Sequence, residues 1–213
     1  MSKTFFCSDL HLGHLSILKY EPMRLRAVWQ QFHRDEIDFE TFQSIFLDKL
    51  ATKTEEDKVW LRSILKEHDD LVISNWNNIV SASDTVWFLG DLCMGRRADV
   101  QHYVSRLKGH IKMVKGNHDN YNDSVYLAAG ISSVSKYPVV LKQKFILSHA
   151  PLEPFVNETE STFYNIYGHV HSEPSFLTKT SNSQCVCIER QDLRPIRIED
   201  VEVYIPPSLN KKI

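Results

Sequence analysis

The sequence predicts an α/β fold in which helices flank a mixed β-sheet or a sandwich of two sheets. One observation is a strand–helix–strand pattern with short connections over residues 85–114, which indicates a parallel strand pair joined by a right-handed crossover. A second observation is a change of pattern along the chain. Residues 15–80 are charged and helix-favouring, whereas the chain after residue 137 contains mainly short apolar or β-branched runs that are typical of strands.

The first strand is predicted over residues 3–8 (KTFFCS), an apolar and aromatic run. Residues 85–89 (TVWFL) and 111–114 (IKMV) are the two strands of the strand–helix–strand unit. Between them, apolar residues recur at helical spacing, and Gly109 follows as a stop signal. The second and third strands are therefore expected to lie parallel in one sheet.

Three or four helices are predicted between the first and second strands, as an insertion at about residues 20–80. The apolar face of one of these helices is formed by Phe39, Phe42, Phe46 and Leu50. Thr54 is a good N-cap for the next helix, with Asp57 in the position of an imperfect capping box. Its apolar face continues to His68, and residues 71–79 indicate another helix. The insertion is either a structural flap packed on the core or a lid and specificity element over a cleft.

The second half of the chain is predicted to be mostly β. Its strands are expected at residues 137–141, 144–148, 163–167, 184–189 and 196–204. Few helical patterns separate these runs, so they are expected to form a sheet of their own or to extend the first sheet.

The chain has 213 residues, which suits a single domain over residues 1–213 that includes the insertion. Its formal net charge of −2 gives no reason to expect nucleic acid or an anionic membrane as a partner. Neither a secretory leader nor a membrane-spanning run is recognised. Cys185 and Cys187 are expected to be small buried hydrophobic side chains, and the absence of a disulfide framework favours a cytoplasmic location.

Five short motifs carry side chains that can bind metals, and nearly all of them directly follow a predicted strand. They are residues 9–13 (DLHLG), 90–91 (GD), 116–119 (GNHD), 148–151 (SHAP) and 168–171 (GHVH). Because strand ends meet at the edge of an α/β sheet, side chains far apart in sequence can converge there. The motifs therefore predict one site rather than five.

The residue types of these motifs are those of a dinuclear metal centre. Asp9 and His11 lie two residues apart, so with strand-like geometry their side chains point the same way, and His169 and His171 repeat this arrangement. Oxygen and imidazole ligands without cysteine favour a hard or borderline cation over a cysteine-rich zinc site. We expect two divalent ions, with Mn²⁺ as the first choice and Fe, Zn²⁺, Ni²⁺ or Mg²⁺ as alternatives.

The five motifs, in this order, resemble those of the calcineurin-like metallophosphoesterases. The resemblance covers residues 3–16 and 85–201 and is greatest to small bacterial and phage phosphoesterases. It implies a four-layer α/β/β/α sandwich of two mixed sheets, here with a helical insertion after the first strand. It also implies that one metal is held by Asp9, His11, Asp91 and His171, and the other by Asp91, Asn117, His149 and His169. Asp91 would then bridge the two metals.

The resemblance further implies that His118 is the acid that protonates the leaving oxygen, while Asp91 and Asn117 take part in catalysis. Asn117 would also bind substrate. His14 is predicted either to contact substrate phosphate or to hold the start of the following helix. Arg96 is predicted either to reach an anionic substrate or to be a solvated surface side chain, and Arg24 has the same two interpretations.

The chain differs from the Ser/Thr protein phosphatases of this superfamily at one informative position. Met94 stands where those enzymes have an aspartate that orients the acid histidine, which disfavours protein-phosphatase activity. The expected activity is hydrolysis of a phosphodiester or phosphomonoester, in a nucleotide or small phosphate ester, by attack of a metal-bridging hydroxide. The alternatives are a nuclease or nucleic-acid end-processing enzyme, for which the near-neutral composition is unfavourable, and a catalytically silent metal-binding scaffold.

Overall fold

The computed structural model describes residues 2–152, 163–176, 180 and 182–201. Two mixed sheets form the centre of this part of the chain, one with five strands and one with four. A helical region follows the first strand. The predicted α/β class, with two mixed sheets and helices inserted after the first strand, is therefore confirmed.

The five-stranded sheet has the strand order β4-β3-β2-β1-β9. Its strands are β1 (Thr4–Cys7), β2 (Thr85–Phe88), β3 (His110–Val114), β4 (Ser133–Ser135) and β9 (Ile196–Arg197). The first four run parallel, and β9 pairs antiparallel with β1. Helix α5 (Arg97–Val104) connects β2 to β3, as the strand–helix–strand pattern predicts.

The four-stranded sheet has the order β5-β6-β7-β8. Its strands are β5 (Val139–Leu141), β6 (Phe145–Leu147), β7 (Tyr164–Tyr167) and β8 (Ser183–Cys185). Strand β5 pairs antiparallel with β6, whereas β6, β7 and β8 are parallel. The carboxyl ends of β6 and β7 therefore lie at one edge of this sheet.

The two sheets pack face to face through an apolar layer. Phe6 and Leu89 contribute to it from the five-stranded sheet, and Phe145 and Ile166 contribute from the four-stranded sheet. The rings of Phe6 and Phe145 meet edge to face, with their centroids 5.8 Å apart, an arrangement that aromatic pairs prefer. On the opposite face of the five-stranded sheet, a second apolar cluster contains Trp76, Val100 and Tyr126, so helices cover that face.

Four helices form the insertion between β1 and β2. They are α1 (Ile17–Tyr20), α2 (Pro22–Phe32), α3 (Phe39–Thr52) and α4 (Glu55–Ile79). The Thr54–Asp57 capping box is present at the start of α4. Residues 59–68 and 71–79, which suggested two helices, lie in this one helix of 25 residues, because neither glycine nor proline interrupts the run.

Four elements differ from the predictions. Helix α6 (Asp123–Ala128) and the short strand β4 were not predicted, since six and three residues are too few to establish a periodicity. The strand expected at residues 184–189 ends at Cys185, and a 3₁₀ turn follows at Ile188–Arg190. The strand expected at 196–204 is two residues long and is followed by a 3₁₀ turn at Ile198–Asp200, while 202–204 lie outside the described residues.

Within the described part of the chain, no helix is both long enough and apolar enough to cross a membrane.

Asp57 at the start of α4 is predicted to contribute pH-dependent stability. Its carboxylate accepts hydrogen bonds from Lys49 Nζ at 2.7 Å and from the hydroxyls of Thr52 and Thr54, each at 2.7 Å. These contacts, with Lys49 first, lower the pKa of Asp57 well below its usual value. A lowered pKa stabilises the folded state above the pKa of the unfolded chain, about 4, and this contribution is lost as the pH falls further.

Asp57→Asn should therefore lower the urea midpoint of unfolding at pH 7, and its difference from the unaltered protein should narrow progressively below about pH 4. Asp48→Asn is the matched control, because Asp48 is an exposed carboxylate on α3, and it should change the midpoint little at any pH. A difference for Asp57→Asn that is constant from pH 7 to pH 3 would contradict the prediction.

Candidate metal centre

The candidate ligands lie at the carboxyl ends of five strands. Asp9 follows β1, Asp91 follows β2 and Asn117 follows β3, all in the parallel part of the five-stranded sheet. His149 follows β6, and residues 169–171 follow β7, in the parallel part of the four-stranded sheet. Because the two sheets are packed together, these ends meet, and the side chains of the five motifs lie close together.

Five of the candidate ligands have backbone in the left-handed region. The φ angles are 60° at Asp9, 49° at His11, 60° at Asp91, 73° at His169 and 46° at His171. Such angles are uncommon for residues other than glycine, cost on the order of 1–3 kcal/mol each and cluster at functional sites. The paired side chains converge through this turned backbone, so the expected strand-like geometry of residues 9–11 and 169–171 is wrong.

The first group of ligand atoms is formed by Asp9, His11 and His171, whose donor atoms all lie within 4.8 Å of one another. Asp9 Oδ1 is 3.8 Å from His11 Nε2 and 3.6 Å from His171 Nε2. Asp9 and His11 are fully buried, while His171 is partly exposed. One carboxylate and two imidazoles therefore point at a common position.

The second group is formed by Asp9, Asp91 and His149, again within 4.8 Å of one another. Asp91 Oδ2 is 3.5 Å from His149 Nε2 and also 3.5 Å from His11 Nε2, so Asp91 lies between the two groups. Asn117 and His169 also lie in this second group, next to His149.

His149 Nε2 is 2.8 Å from Asn117 Oδ1 and 3.2 Å from His169 Nδ1. The structure thus brings together all seven residues that the sequence singled out as metal ligands.

Partners outside the cluster direct the imidazole lone pairs into it. His149 Nδ1 lies 2.7 Å from the carbonyl oxygen of Leu89, and His171 Nδ1 lies 2.9 Å from Glu189 Oε1. A nitrogen facing an oxygen acceptor carries the hydrogen, so in the neutral ring the Nε2 atom is an acceptor. Acceptor nitrogens then face carboxylate and amide oxygens inside the cluster, an arrangement that needs a positive charge between them.

Two buried polar atoms of the cluster support the same interpretation. Asp9 Oδ1 and His11 Nε2 have no hydrogen-bond partner among the described residues, although buried polar atoms normally have one. Burial alone would raise the pKa of Asp9, but the adjacent His11 ring and the charges of His171 and His149 lower it below its ordinary value. An anionic carboxylate beside acceptor imidazoles fits a divalent cation with oxygen and nitrogen ligands.

The charge on His171 also indicates a site that attracts cations. Burial lowers its pKa, but the hydrogen bond from its ring to Glu189 and the negative charges of Glu189 and Asp9 outweigh this effect and raise the pKa to about 9. For Glu189, burial raises the pKa, but the charge of Arg24 and the contact with His171 lower it overall. The surrounding carboxylates therefore favour positive charge at this position, either as a proton or as a metal ion.

His118 and His14 lie beside the cluster rather than in it. The His118 side chain is exposed, its ring centroid is 5.5 Å from that of His11, and its backbone N–H donates to Asp91 Oδ1 at 2.9 Å. His14 is half-buried, and its Nδ1 lies 3.3 Å from His11 Nδ1. Burial, followed by the nearby rings of His11 and His118, lowers the pKa of His14 to about 4, so its ring is neutral at pH 7.

The two arginine predictions have different outcomes. Arg96 is exposed at the start of α5, where its Nε lies 3.6 Å from Asp99 Oδ2. This contact is with a residue of its own helix, and substrate binding by Arg96 stays a prediction. Arg24, by contrast, is fully buried and paired with Glu189, so both interpretations given for Arg24, substrate contact and solvated surface, are wrong.

Sequence reasoning missed three residues that support the cluster. Glu189 contacts His171, and the only signal for it was a charged residue in an apolar run. Asp119 accepts hydrogen bonds from the backbone N–H of Asp91 at 2.7 Å and of Gly116 at 2.8 Å, and its place in the GNHD motif could have indicated this. Cys187 is buried, as expected, but its Sγ also lies 3.2 Å from Asp9 Oδ2.

Relatives of known sequence are distant. No protein-family model matches the chain. The chain is 27% identical over 145 residues to MJ1445, an uncharacterised protein of Methanocaldococcus jannaschii, which covers 64% of this chain and 74% of that protein. It is also 27% identical over 122 residues to the gene 66 protein of Mycobacterium phage L5, covering 56% of this chain and 41% of the phage protein. The chain therefore matches less than half of the phage protein.

The fold is similar to that of a solved structure. AQ665, a protein of unknown function from Aquifex aeolicus, superposes with a TM-score of 0.56 at 20% identity, covering 94% of this chain and 98% of that one. The similarity extends over nearly the whole of both chains and shows a common fold. Pseudomonas putida nuclease MPE superposes with a TM-score of 0.34 at 18% identity, covering 79% of this chain and 61% of the nuclease. That superposition is too weak to support a conclusion.

Gly116 is predicted to be required for the position of Asp91. A Cβ atom at Gly116 would overlap Asp91 Oδ1 and would lie 2.7 Å from the backbone nitrogen of Asp91. Gly116→Ala should therefore displace Asp91, lower the stability by about 1–3 kcal/mol and abolish binding of divalent metal in a calorimetric titration.

Gly130→Ala is the matched control. Gly130 has a φ angle of +107°, but a Cβ there would meet only Val104 Cγ1 at 3.8 Å. This variant should lose stability through backbone strain and still bind metal as the unaltered protein does. Equal metal binding by Gly116→Ala and the unaltered protein would refute the role given to Gly116.

Proposed function

We propose that the chain is a metal-dependent phosphoesterase of the calcineurin-like type, which hydrolyses phosphodiester or phosphomonoester bonds in a nucleotide or another small phosphate ester. The observation that carries this proposal is the convergence of seven oxygen and imidazole side chains in one cluster of two adjoining groups, with acceptor atoms facing each other. The order of their motifs along the chain, DxHxG, GD, GNHD, H and GHxH, supports the same family.

The proposed ligands follow the two groups in the site. One divalent ion would be held by Asp9, His11 and His171, and a second by Asn117, His149 and His169, with Asp91 between them and available to both. When bound, such ions would neutralise the phosphoryl oxygens and lower the pKa of a bound water toward 7. The donor types fit Mn²⁺, and also Fe, Zn²⁺, Ni²⁺ or Mg²⁺.

The other residues of the site would act on the substrate directly. Asn117 has an amide group that can donate to an equatorial phosphoryl oxygen, where negative charge develops during the reaction. His14 is neutral at pH 7 and would contact phosphate as a hydrogen-bonding group and not as a cation. Arg96 is exposed and would supply positive charge at the outer end of a phosphate ester, next to helix α5.

We assign the general acid to His118. Its exposed ring lies beside His11 at the rim of the cluster, while its backbone N–H is held by Asp91. The ring can therefore reach a leaving group without occupying a ligand position. By donating its proton to the departing alkoxide it would balance the charge released when the P–O bond breaks.

Hydrolysis of a substrate panel by metal-stripped protein, with Mn²⁺ added back, tests the proposed function. The panel contains bis-p-nitrophenyl phosphate, p-nitrophenyl phosphate, cyclic nucleotides, a phosphoserine peptide and single-stranded DNA. We expect Mn²⁺-dependent cleavage of small esters, with diesters cleaved at least as well as monoesters. Cleavage of DNA alone would indicate a nuclease, and bound Mn²⁺ without any cleavage would indicate a silent scaffold.

Asp91→Asn should release at least one metal ion per chain and remove nearly all activity, because a neutral amide cannot balance the charge of two cations. Metal content by mass spectrometry and initial rates with bis-p-nitrophenyl phosphate measure both effects. Asp123→Asn, a change of a partly exposed carboxylate at the start of α6, is the control and should leave both unaltered. Full occupancy and rate in Asp91→Asn would exclude Asp91 from the position between the metals.

His118→Asn should keep both metals and slow the hydrolysis of esters with poor leaving groups by about 10²–10⁴-fold. Nucleoside alkoxides need a proton to depart, whereas p-nitrophenolate does not, so p-nitrophenyl esters should be slowed far less. His102→Asn, at an exposed histidine on α5, should change neither rate. Equal slowing of both substrates, or loss of metal, would show that His118 is not the acid.

A further inference from the structure

The inserted helices contribute a buried charge to the metal centre. Arg24 lies on α2, in the insertion, and its side chain is fully buried. Taking a guanidinium out of water is costly unless it is paired and hydrogen-bonded. The groups that surround Arg24 therefore indicate why it is there.

Arg24 binds the backbone of the loop that carries Asp9 and His11. Its Nη2 donates to the carbonyl oxygen of Asp9 at 2.6 Å, and its Nη1 donates to the carbonyl oxygen of Leu10 at 2.8 Å. These two carbonyls belong to a segment whose left-handed φ angles require support from outside. The planar guanidinium, with donors in a fixed fork, can hold both carbonyls in one orientation.

Arg24 also holds Glu189, which contacts a candidate ligand. Its Nε donates to Glu189 Oε1 at 2.7 Å, and its Nη2 forms an ion pair with the same oxygen. Glu189 Oε1 in turn lies 2.9 Å from His171 Nδ1. The other ring nitrogen of His171 points at Asp9 Oδ1. Glu189 therefore sets both the rotation of this imidazole and the nitrogen that is free to bind a metal.

A second helix of the insertion supports the same loop. Asp69, on α4, accepts hydrogen bonds from the backbone N–H of Gly13 at 3.0 Å and from the Tyr103 hydroxyl at 2.7 Å. His68 connects the two helices, since its Nδ1 lies 3.0 Å from Asp69 Oδ1 and its Nε2 lies 3.3 Å from Arg24 Nη1. The insertion thus forms hydrogen bonds to both ends of the segment of residues 9–13.

We infer that Arg24 and Glu189 are positioning residues of the metal centre, so that the helical insertion is a working part of this site and not a separate flap. Arg24 holds the loop of Asp9 and His11 through two carbonyls, and it holds His171 through Glu189. The inference rests on the proposed function to the extent that the cluster binds divalent metal. It does not depend on which ester is cleaved.

Calorimetric titration of the full chain with Mn²⁺, after removal of metal by a chelator, tests the inference. Glu189→Gln keeps the size of the side chain and removes its charge. Arg24→Lys keeps the positive charge. It replaces the guanidinium, which donates to two backbone carbonyls and to Glu189, by a single ammonium group. Both variants should bind Mn²⁺ about 10–100-fold more weakly than the unaltered protein, as is typical when the partner of a ligating histidine is changed.

Asp84→Asn is the matched control for a buried carboxylate. Asp84 is 3% exposed and accepts hydrogen bonds from the backbone N–H of Lys3 at 2.7 Å and of Ser81 at 2.8 Å, near the amino end of β2. The thermal midpoint of each chelated variant is measured in parallel. We expect Asp84→Asn to lower the midpoint and leave the affinity for Mn²⁺ unchanged, because it disturbs the fold away from the metal centre.

The possible results separate the role of Glu189 from the proposed function. If the unaltered protein binds Mn²⁺ and Glu189→Gln binds it equally well, the inference is overturned while the proposed function stands. If Asp84→Asn weakens Mn²⁺ binding as much as Glu189→Gln does, the role of Glu189 is merely structural, and the inference is again overturned. If the unaltered protein binds no divalent metal, both fall. Should Arg24→Lys fail to fold, Glu189→Gln still gives the decisive comparison.

Discussion

The placement of Asp9 is the constraint on which the rest of the site depends. Its backbone N–H donates to the carbonyl oxygen of Gly90 at 2.9 Å, which ties it to the adjacent strand end. Its Oδ2 accepts from the backbone N–H of His169 at 2.9 Å, in the other half of the chain. Its carbonyl oxygen accepts from Arg24 at 2.6 Å, in the insertion. One buried residue therefore joins both sheets and the inserted helices, and its Oδ1 is left facing the imidazoles of the cluster.

A chain with a near-neutral net charge can still bring together a local cluster of buried groups that fits a cation. The carboxylates and imidazoles are local, buried and held by groups outside the cluster, such as the Leu89 carbonyl behind His149 and Glu189 behind His171. Such fixed acceptors need little reorganisation when a cation arrives, which is the general basis of preorganised metal sites. The left-handed backbone at the ligands is maintained by the same surrounding contacts.

The insertion has two kinds of contact, with different consequences. Its helices share an apolar cluster that includes Leu25, Phe42, Phe46 and Leu61, which holds them together independently of the site. Buried polar groups then connect them to the loop of residues 9–13. Apolar packing stabilises without direction, whereas hydrogen-bonded charges set an orientation. The apolar contacts therefore hold the inserted helices together, and the buried polar contacts fix their position against the candidate metal centre.

Sequence alone determined the features that depend on neighbours along the chain. The strands before the motifs, the strand–helix–strand unit and the Thr54–Asp57 capping box follow from local periodicity and local hydrogen bonding. The seven candidate ligands were recognisable because each stands in a motif at or near the end of a strand, and parallel strands bring such ends together. Very short elements, such as β4, left no pattern to detect.

Tertiary structure decided the features that depend on partners far away in sequence. Arg24 and Glu189 are separated by 165 positions, and no local pattern indicates that they form a buried pair. No local pattern indicates the contact between Cys187 and Asp9 either, nor the left-handed backbone at the candidate ligands. Local periodicity shows which face of an element is apolar. A polar side chain such as Arg24 is expected to be exposed unless its buried partner is known. Only the packed chain shows that partner, because burial makes a charge costly unless an opposite charge lies beside it.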